Sequence, residues 1–276
     1  MGVDTGARAG LRWPQQGVGV KPRDRQDRIL QIVRKDGAAS VEALAETFAV
    51  SVETVRRDLH DLASTGALHK VRGGARRIRL ATEGSFEERQ MEQAGAKAAI
   101  ARTLAAAIAP GETIFLDTGT TTLACAEELA QIDGLTVITN SFRIAQRLGA
   151  SGGVRVFVLG GGWSADNAET VGPMAIEQIG RFQADHAVLG VAAIDAEAGA
   201  MDADFDEAQI AHAMIGHARH VIVLAHAEKH GRRAAFRVCR LDEIDVLVSD
   251  RPPEGHLAAA LERARVEVRC CGAGVA

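Results

Sequence analysis

Ser40-Val-Glu-Ala-Leu-Ala-Glu-Thr-Phe-Ala-Val-Ser-Val-Glu-Thr-Val-Arg-Arg-Asp-Leu59 is the stretch from which the rest of the chain is read. Apolar residues fall at Val41, Leu44, Ala45 and Phe48, then at Val55, Leu59 and Leu62. Each set has the spacing of one buried helical stripe. Ser40 and Ser51 stand just ahead of the stripes, where a hydroxyl accepts from the free N–H groups of a helix start. Glu42 and Glu53 follow, at the positive end of each helix dipole. Two short helices separated by a few residues pack steeply, which lets the second enter a major groove. The spacing therefore predicts a helix-turn-helix.

Working outward, a preceding helix is expected from about Asp24, carrying Ile29, Leu30, Ile32 and Val33 and stopping at Gly37. The second helix of the pair is expected to run to about Thr65 and end at Gly66. Ala67 to Arg79 then contains five Lys/Arg and no acid. Leu68, Lys70 and Arg72 alternate up to Gly73-Gly74, as in a short hairpin. Such a basic wing suits phosphates or a minor groove. The candidate DNA-contacting residues are Ser40, Ser51, Glu53, Thr54, Arg56 and Arg57 with Lys70 and Arg72 of the wing. Arginine binds guanine bidentately or clamps a phosphate; Arg57 could equally pair with Asp58 or Asp61 on a solvated face.

The 276 residues favour two domains, and 47% hydrophobic composition is ample for a packed core. The formal charge of −4 is unevenly spread: residues 23–79 carry +4, and residues 80–276 carry −10. A basic front and an acidic body fit a small DNA-binding module on a part that does not itself touch phosphate backbone. Residues 1–22 read as a flexible Gly-rich tail without a signal-peptide core, and no apolar run reaches bilayer length. Four cysteines without CxxC spacing suit a reduced compartment. A cytoplasmic, non-membrane protein is expected.

Beyond a linker at 80–96, short β-branched runs at Thr113–Leu116, Thr136–Thr139, Val154–Leu159, Ala187–Gly190, Val221–Ala225 and Val246–Ser249 alternate with helical patterns. The helices are expected at Lys97–Ala109, Leu123–Ala130, Glu207–Ala218 and Leu257–Arg265. Near-continuous apolar strands between helices imply a parallel α/β sheet covered on both faces, here a Rossmann-like domain over 97–272. Ligand chemistry then belongs beyond the carboxyl ends of the strands. There the first strand meets Asp117-Thr-Gly-Thr-Thr-Thr122 and a helix. Small residues let backbone N–H groups and hydroxyls converge on an anion at the helix start. The loop lacks the Gly-Lys-Ser/Thr of a nucleotide loop, so a small phosphoester fits better; an ordinary capped turn is the other reading. Asn140, Gly161, Glu207, His226 and Lys229 stand at further strand ends. Asp202-x-Asp204-x-Asp206-Glu207 lacks the glycine of a calcium loop, and His212, His217 and His220 lack ligand spacing. Neither a metal nor a cofactor is assigned.

Arg25 to Ala75, with Val50-Ser-Val-Glu-Thr-Val-Arg-Arg-Asp-Leu59 and His69-Lys-Val-Arg-Gly-Gly-Ala75, resembles the winged helix of the DeoR family of bacterial repressors. The body resembles that family's sugar-phosphate-sensing domain, akin to ribose-5-phosphate isomerase and CoA-transferase folds. The residues carrying this likeness are Lys97, Asp117–Thr122, Thr139-Asn140, Leu159-Gly-Gly-Gly162, Leu189-Gly190, Ile194-Asp195, Glu207, Lys229-His-Gly231 and Asp250. His226 departs from it, since the family has Asp there. The ending Val266-Glu-Val-Arg-Cys270 looks most like the glycerol-3-phosphate repressor branch. The resemblance implies a repressor on double-stranded operator DNA, a homodimer or homotetramer, released by a phosphorylated sugar or polyol such as glycerol 3-phosphate. It also implies that Asp117–Thr122, Asn140, Gly161, Glu207, His226 and Lys229 take the effector. The competing reading is a phosphosugar isomerase or deaminase with an appended DNA-binding module, using Asp117 or Glu207 as base and Lys229 against an enediolate. An RNA-binding regulator is disfavoured by the lack of Tyr and the few Phe and Trp.

Overall fold

The computed structural model describes residues 21–64, 67–76, 80–81 and 83–271. The chain divides into two compact units, with the boundary after residue 77.

In the smaller unit, α1 (Pro22–Asp36) opens with a proline, which suits a position whose N–H would be unbonded anyway. It closes at Gly37, whose N–H donates to Val33 O at 3.0 Å. β1 (Ala38–Ser40), a strand the periodicity did not signal, leads into α2 (Val41–Phe48) and α3 (Val52–Ser64). Ser40 Oγ accepts from Ala43 N at 3.1 Å, and Ser51 Oγ accepts from Thr54 N at 3.1 Å. Both hydroxyls therefore cap as their positions require. β2 (His69–Val71) and β3 (Gly74–Arg76) form the hairpin, and β1 pairs antiparallel with β3. Ile29, Val33, Leu44, Val55, Leu59, Leu68 and Ala75 make one core from all these elements. Thr65, Gly66, Arg77 to Arg79 and the tail before residue 21 lie outside the described residues.

The larger unit begins where a linker was expected. There Ser85 caps α4 (Phe86–Met91) in a reciprocal box with Glu88, and α5 (Ala94–Ala105) follows. The order then runs β4 (Thr113–Leu116), α6 (Thr120–Leu129), β5 (Thr136–Thr139), α7 (Phe142–Gly149), β6 (Arg155–Val158), β7 (Gly162–Ser164), β8 (Glu169–Val171) and α8 (Pro173–Ile179). After these come β9 (Ala184–Gly190), β10 (Ala193–Asp195), β11 (Gly199–Asp202), α9 (Phe205–Ile215), β12 (Ala218–Leu224), β13 (Phe236–Cys239), β14 (Val246–Ser249), α10 (Gly255–Ala264) and β15 (Glu267–Cys270).

Seven of these strands form a parallel sheet in the order β15-β14-β12-β9-β4-β5-β6. Successive side chains alternate between its faces. Ile114, Leu116, Val137, Val188, Ile222 and Leu224 pack with Ile100 and Leu104 of α5, Leu129 of α6 and Ile144 of α7. Phe115, Ile138, Ala187, Leu189, Val221 and Val223 pack with Ile179 of α8, Ala208 of α9 and Leu261 of α10. The parallel α/β reading of the sequence is therefore correct. Antiparallel β10-β11-β13 and the β7-β8 hairpin are additions to it. From β4 the chain winds outward through β5 and β6, then returns through β9, β12, β14 and β15. The strand order therefore reverses between β4 and β9, and a crevice opens beyond their carboxyl ends.

Candidate functional site

In the smaller unit, Ser40, Ser51, Glu53, Arg56, Arg57, Lys70 and Arg72 are exposed, and Thr54 is half-buried. Thr54 Oγ1 lies 2.8 Å from Ser51 Oγ at the start of α3. Arg56 and Glu53 approach only to 3.9 Å, one turn apart on an exposed face. Asp58 is not a surface partner of Arg57. It is buried and held by Arg25 of α1, Oδ2 at 2.5 Å from Nε and Oδ1 at 3.1 Å from Nη2. This two-pronged pair joins the first helix to the third and leaves the guanidinium of Arg57 exposed.

In the larger unit, the β4–β9 crevice is a narrow cleft, partly open to solvent, with a free cavity of about 20 Å³. Thr118, Gly119, Thr120 and Thr121 line it from the end of β4, and Gly190 and Val191 from the end of β9. Asp202 ends β11, Glu207 lies on α9, Lys229 follows β12, and Glu83 and Arg89 come from the segment before α5. Gly119 stands at φ 135°, which a side chain disfavours, and starts α6 with its unpaired N–H groups at the cleft. Thr118 Oγ1 and Asp117 Oδ1 are buried and have no hydrogen-bond partner among the described residues. Thr122 is fully buried and donates to Gly119 O at 3.0 Å, so its hydroxyl shapes the loop.

Glu83, Asp202 and Glu207 bring a carboxylate oxygen each within 4.8 Å of one another. Burial and the Glu83 charge push Asp202 upward, burial and the Asp202 charge push Glu207 upward, and burial with the nearby Asp202 charge pushes Asp117 the same way. Lys229 is lowered by burial, and its ammonium donates to Val191 O and faces Glu83 Oε1 at 3.9 Å. Burial and repulsion from Lys229 lower Lys97 to about 8; it donates to Arg89 O. Arg89 sits 2.7 Å from Glu83 Oε2 and donates to Asn167 Oδ1.

Five effector candidates do not line the cleft: the buried Asp117 and Thr122 just behind its loop, and Asn140, Gly161 and His226. Asn140 is completely buried behind it, its Nδ2 donating to Glu169 Oε2 at 2.8 Å and to Thr170 O at 3.1 Å. Asn167 donates onward to Glu169 Oε1 at 3.2 Å and Glu207 Oε1 at 2.5 Å, so Asn140 reaches the cleft through that chain. Gly161 is packed against β8, where an added Cβ would meet Val171 O at 2.6 Å. His226 is buried with Nδ1 unpartnered among the described residues, and burial beside Lys229 and Lys97 lowers it to about 4. It is therefore a neutral imidazole.

Glu83, Arg89, Asn167 and Glu169 escaped the sequence reading. The first two lie in a charged stretch without strand pattern, and only Ser85-x-x-Glu88 signalled a helix there. Asn167 sits in the turn, and Glu169 at the start of the second strand, of a short hairpin too brief for periodicity.

The DeoR-like helix-turn-helix domain matches residues 25–80, and the DeoR C terminal sensor domain matches residues 92–251. The HTH-type transcriptional repressor CsqR of Escherichia coli is 32% identical over 88% of this chain and 94% of its own length. The glycerol-3-phosphate regulon repressor of Escherichia coli is 29% identical over 91% of this chain and 100% of its own. A ribose 5-phosphate isomerase from Methanocaldococcus jannaschii matches at 15% identity and a TM-score of 0.36, over 49% of this chain and 53% of the other. With both modules matched in order, the chain belongs to the DeoR family.

Proposed function

We propose that this protein is a DNA-binding transcriptional repressor of carbohydrate or polyol genes, released from its operator by a small phosphorylated sugar or polyol. Residues 23–79 would hold duplex DNA, with α3 in the major groove and the hairpin on the backbone. Residues 97–272, with the segment before them, would hold the effector. The observation that carries this reading is the β4–β9 cleft, where the Thr118–Thr121 loop and the start of α6 face Lys229 and Arg89. Backbone N–H groups, hydroxyls and two cations suit a phosphate group. Neighbouring carboxyl groups suit the hydroxyls of a polyol.

Glycerol 3-phosphate is the effector this reading favours, supported by the name of one full-length relative. The carboxyl groups serve as ligand acceptors and donors rather than as proton-transfer catalysts, and the protein is not an enzyme. It acts in the cytoplasm as a homodimer or homotetramer, because paired winged helices on two half-sites multiply a modest single-module affinity. No helix among the described residues is long and apolar enough to cross a membrane.

The test is an anisotropy titration of the full chain on its promoter DNA, with glycerol 3-phosphate, other phosphorylated sugars and unphosphorylated glycerol added in turn. Release by a phosphorylated compound and not by glycerol is expected. DNA binding indifferent to every phosphoester would overturn the proposal, as would turnover of ribose 5-phosphate or glucosamine 6-phosphate at enzymatic rates.

A further inference from the structure

We infer that Glu83 is a tethered occupant of the anion seat, and that it sets the cleft's specificity by yielding to a phosphomonoester and not to a carboxylate. The inference rests on the reading of the cleft as a phosphoester site. Glu83 Oε2 lies 2.7 Å from Arg89 Nη1, and its Oε1 lies 3.9 Å from Lys229 Nζ. One carboxylate thus spans both cations that line the cleft, with a separate oxygen turned to each. All three side chains are mostly shielded, at 22%, 12% and 18% exposure.

The seat is held from both sides along the chain. Ala81 N donates to Arg233 O at 2.7 Å, and the Ser85–Glu88 box fixes the start of α4. A short tether of this kind gives the carboxylate an effective concentration of order millimolar. A free monocarboxylate brings the same charge and the same two oxygens, and so gains nothing over the tethered group. A phosphomonoester near neutral pH brings close to two charges and three oxygens. It can satisfy Arg89 and Lys229 and still reach the unpartnered Thr118 hydroxyl and the N–H groups starting α6. Its arrival also turns Glu83 away from Asp202 and Glu207, relieving a three-carboxylate cluster. In sequence the displaced residues come between the basic hairpin and the sensor domain, so the exchange acts on the connecting segment itself.

The experiment is calorimetric titration of the full-length wild type, Glu83→Gln and Glu83→Ala with inorganic phosphate, glycerol 3-phosphate and acetate, each protein first checked for a cooperative melt. Both variants should bind the two phosphate probes about tenfold more tightly, since a like charge facing the ligand is gone. Acetate should compete with phosphate in Glu83→Ala, whose seat is vacant, and in neither wild type nor Glu83→Gln. Unchanged or weaker phosphate binding in both variants, or acetate competing equally in all three proteins, would overturn the role of Glu83 and leave the phosphate site standing. Failure of all three proteins to bind either phosphate probe would overturn both readings.

Discussion

The two units bury charge in opposite ways. In the winged helix, Arg25 and Asp58 meet in a two-pronged pair that is 9% and 5% exposed, with charge matched by charge. In the sensor domain, Asp117, Glu169, Asp202, Glu207 and Glu83 gather around Lys97, Lys229 and Arg89, and several buried polar atoms have no partner among the described residues. A balanced, fully bonded pair fixes one conformation, because losing either partner strands a charge in a dry place. An unbalanced group with unmet donors and acceptors is held at a cost that a ligand can relieve. Under the proposed function, the same chemistry serves architecture in one unit and recognition in the other.

The largest effect should come from breaking the matched pair. Asp58→Ala takes the matching carboxylate from the buried Arg25 guanidinium and should cost about 3–5 kcal/mol of winged-helix stability, with operator binding lost. Denaturant unfolding measures it, and a loss under about 1 kcal/mol would mean the pair is not a structural fastener. Next, Lys229→Met should weaken glycerol 3-phosphate binding by roughly ten- to a hundredfold, the worth of a charge-assisted hydrogen bond. Operator affinity without effector should stay as in wild type. Calorimetry and anisotropy together separate the two, and unaltered phosphate binding would remove Lys229 from the site.

A smaller effect distinguishes an unmet hydroxyl from a bonded one. Thr118→Val should leave the melting temperature of the ligand-free protein unchanged or slightly raised, because Thr118 Oγ1 bonds to nothing among the described residues. It should lose only several-fold in phosphate affinity. A drop of more than a few degrees without ligand would show that the hydroxyl is structural.

The smallest effect is in pH. Burial and the Glu83 charge raise Asp202 from its ordinary value to about 6 in the folded protein. The stability this group contributes is therefore present below about pH 4 and fades as pH rises through about 6. Asp202→Asn should shrink the fall in melting temperature between pH 5 and pH 8 by a few degrees. An identical pH profile in the variant would place the origin of that fall elsewhere in the cluster.

Much of this architecture was legible before any coordinates. Thr113–Leu116, Thr136–Thr139 and Val246–Ser249 are strands at the expected bounds, because a strand buried on both faces is an unbroken β-branched run. The capping roles of Ser40 and Ser51 were equally plain, since a cap depends on neighbours three residues away. The strands of the two small sheets were not legible, being too short to show a period.

The site divides along the same line. The Thr118–Thr121 loop, Glu207 and Lys229 could be picked out because strand ends announce themselves locally. Glu83 and Arg89 could not, since their partners lie far along the chain and no pattern of nearby residues encodes that meeting.

Local spacing alone settled the helix-turn-helix, its caps and the parallel α/β body, because helix and strand periods are properties of neighbouring residues. Long-range packing decided which carboxylates crowd together, that Asp58 turns inward to Arg25, and that Glu83 lies between Arg89 and Lys229. Those outcomes depend on where the strand order reverses and which segments close over the crevice, and the free energy of a buried charge is set by everything around it.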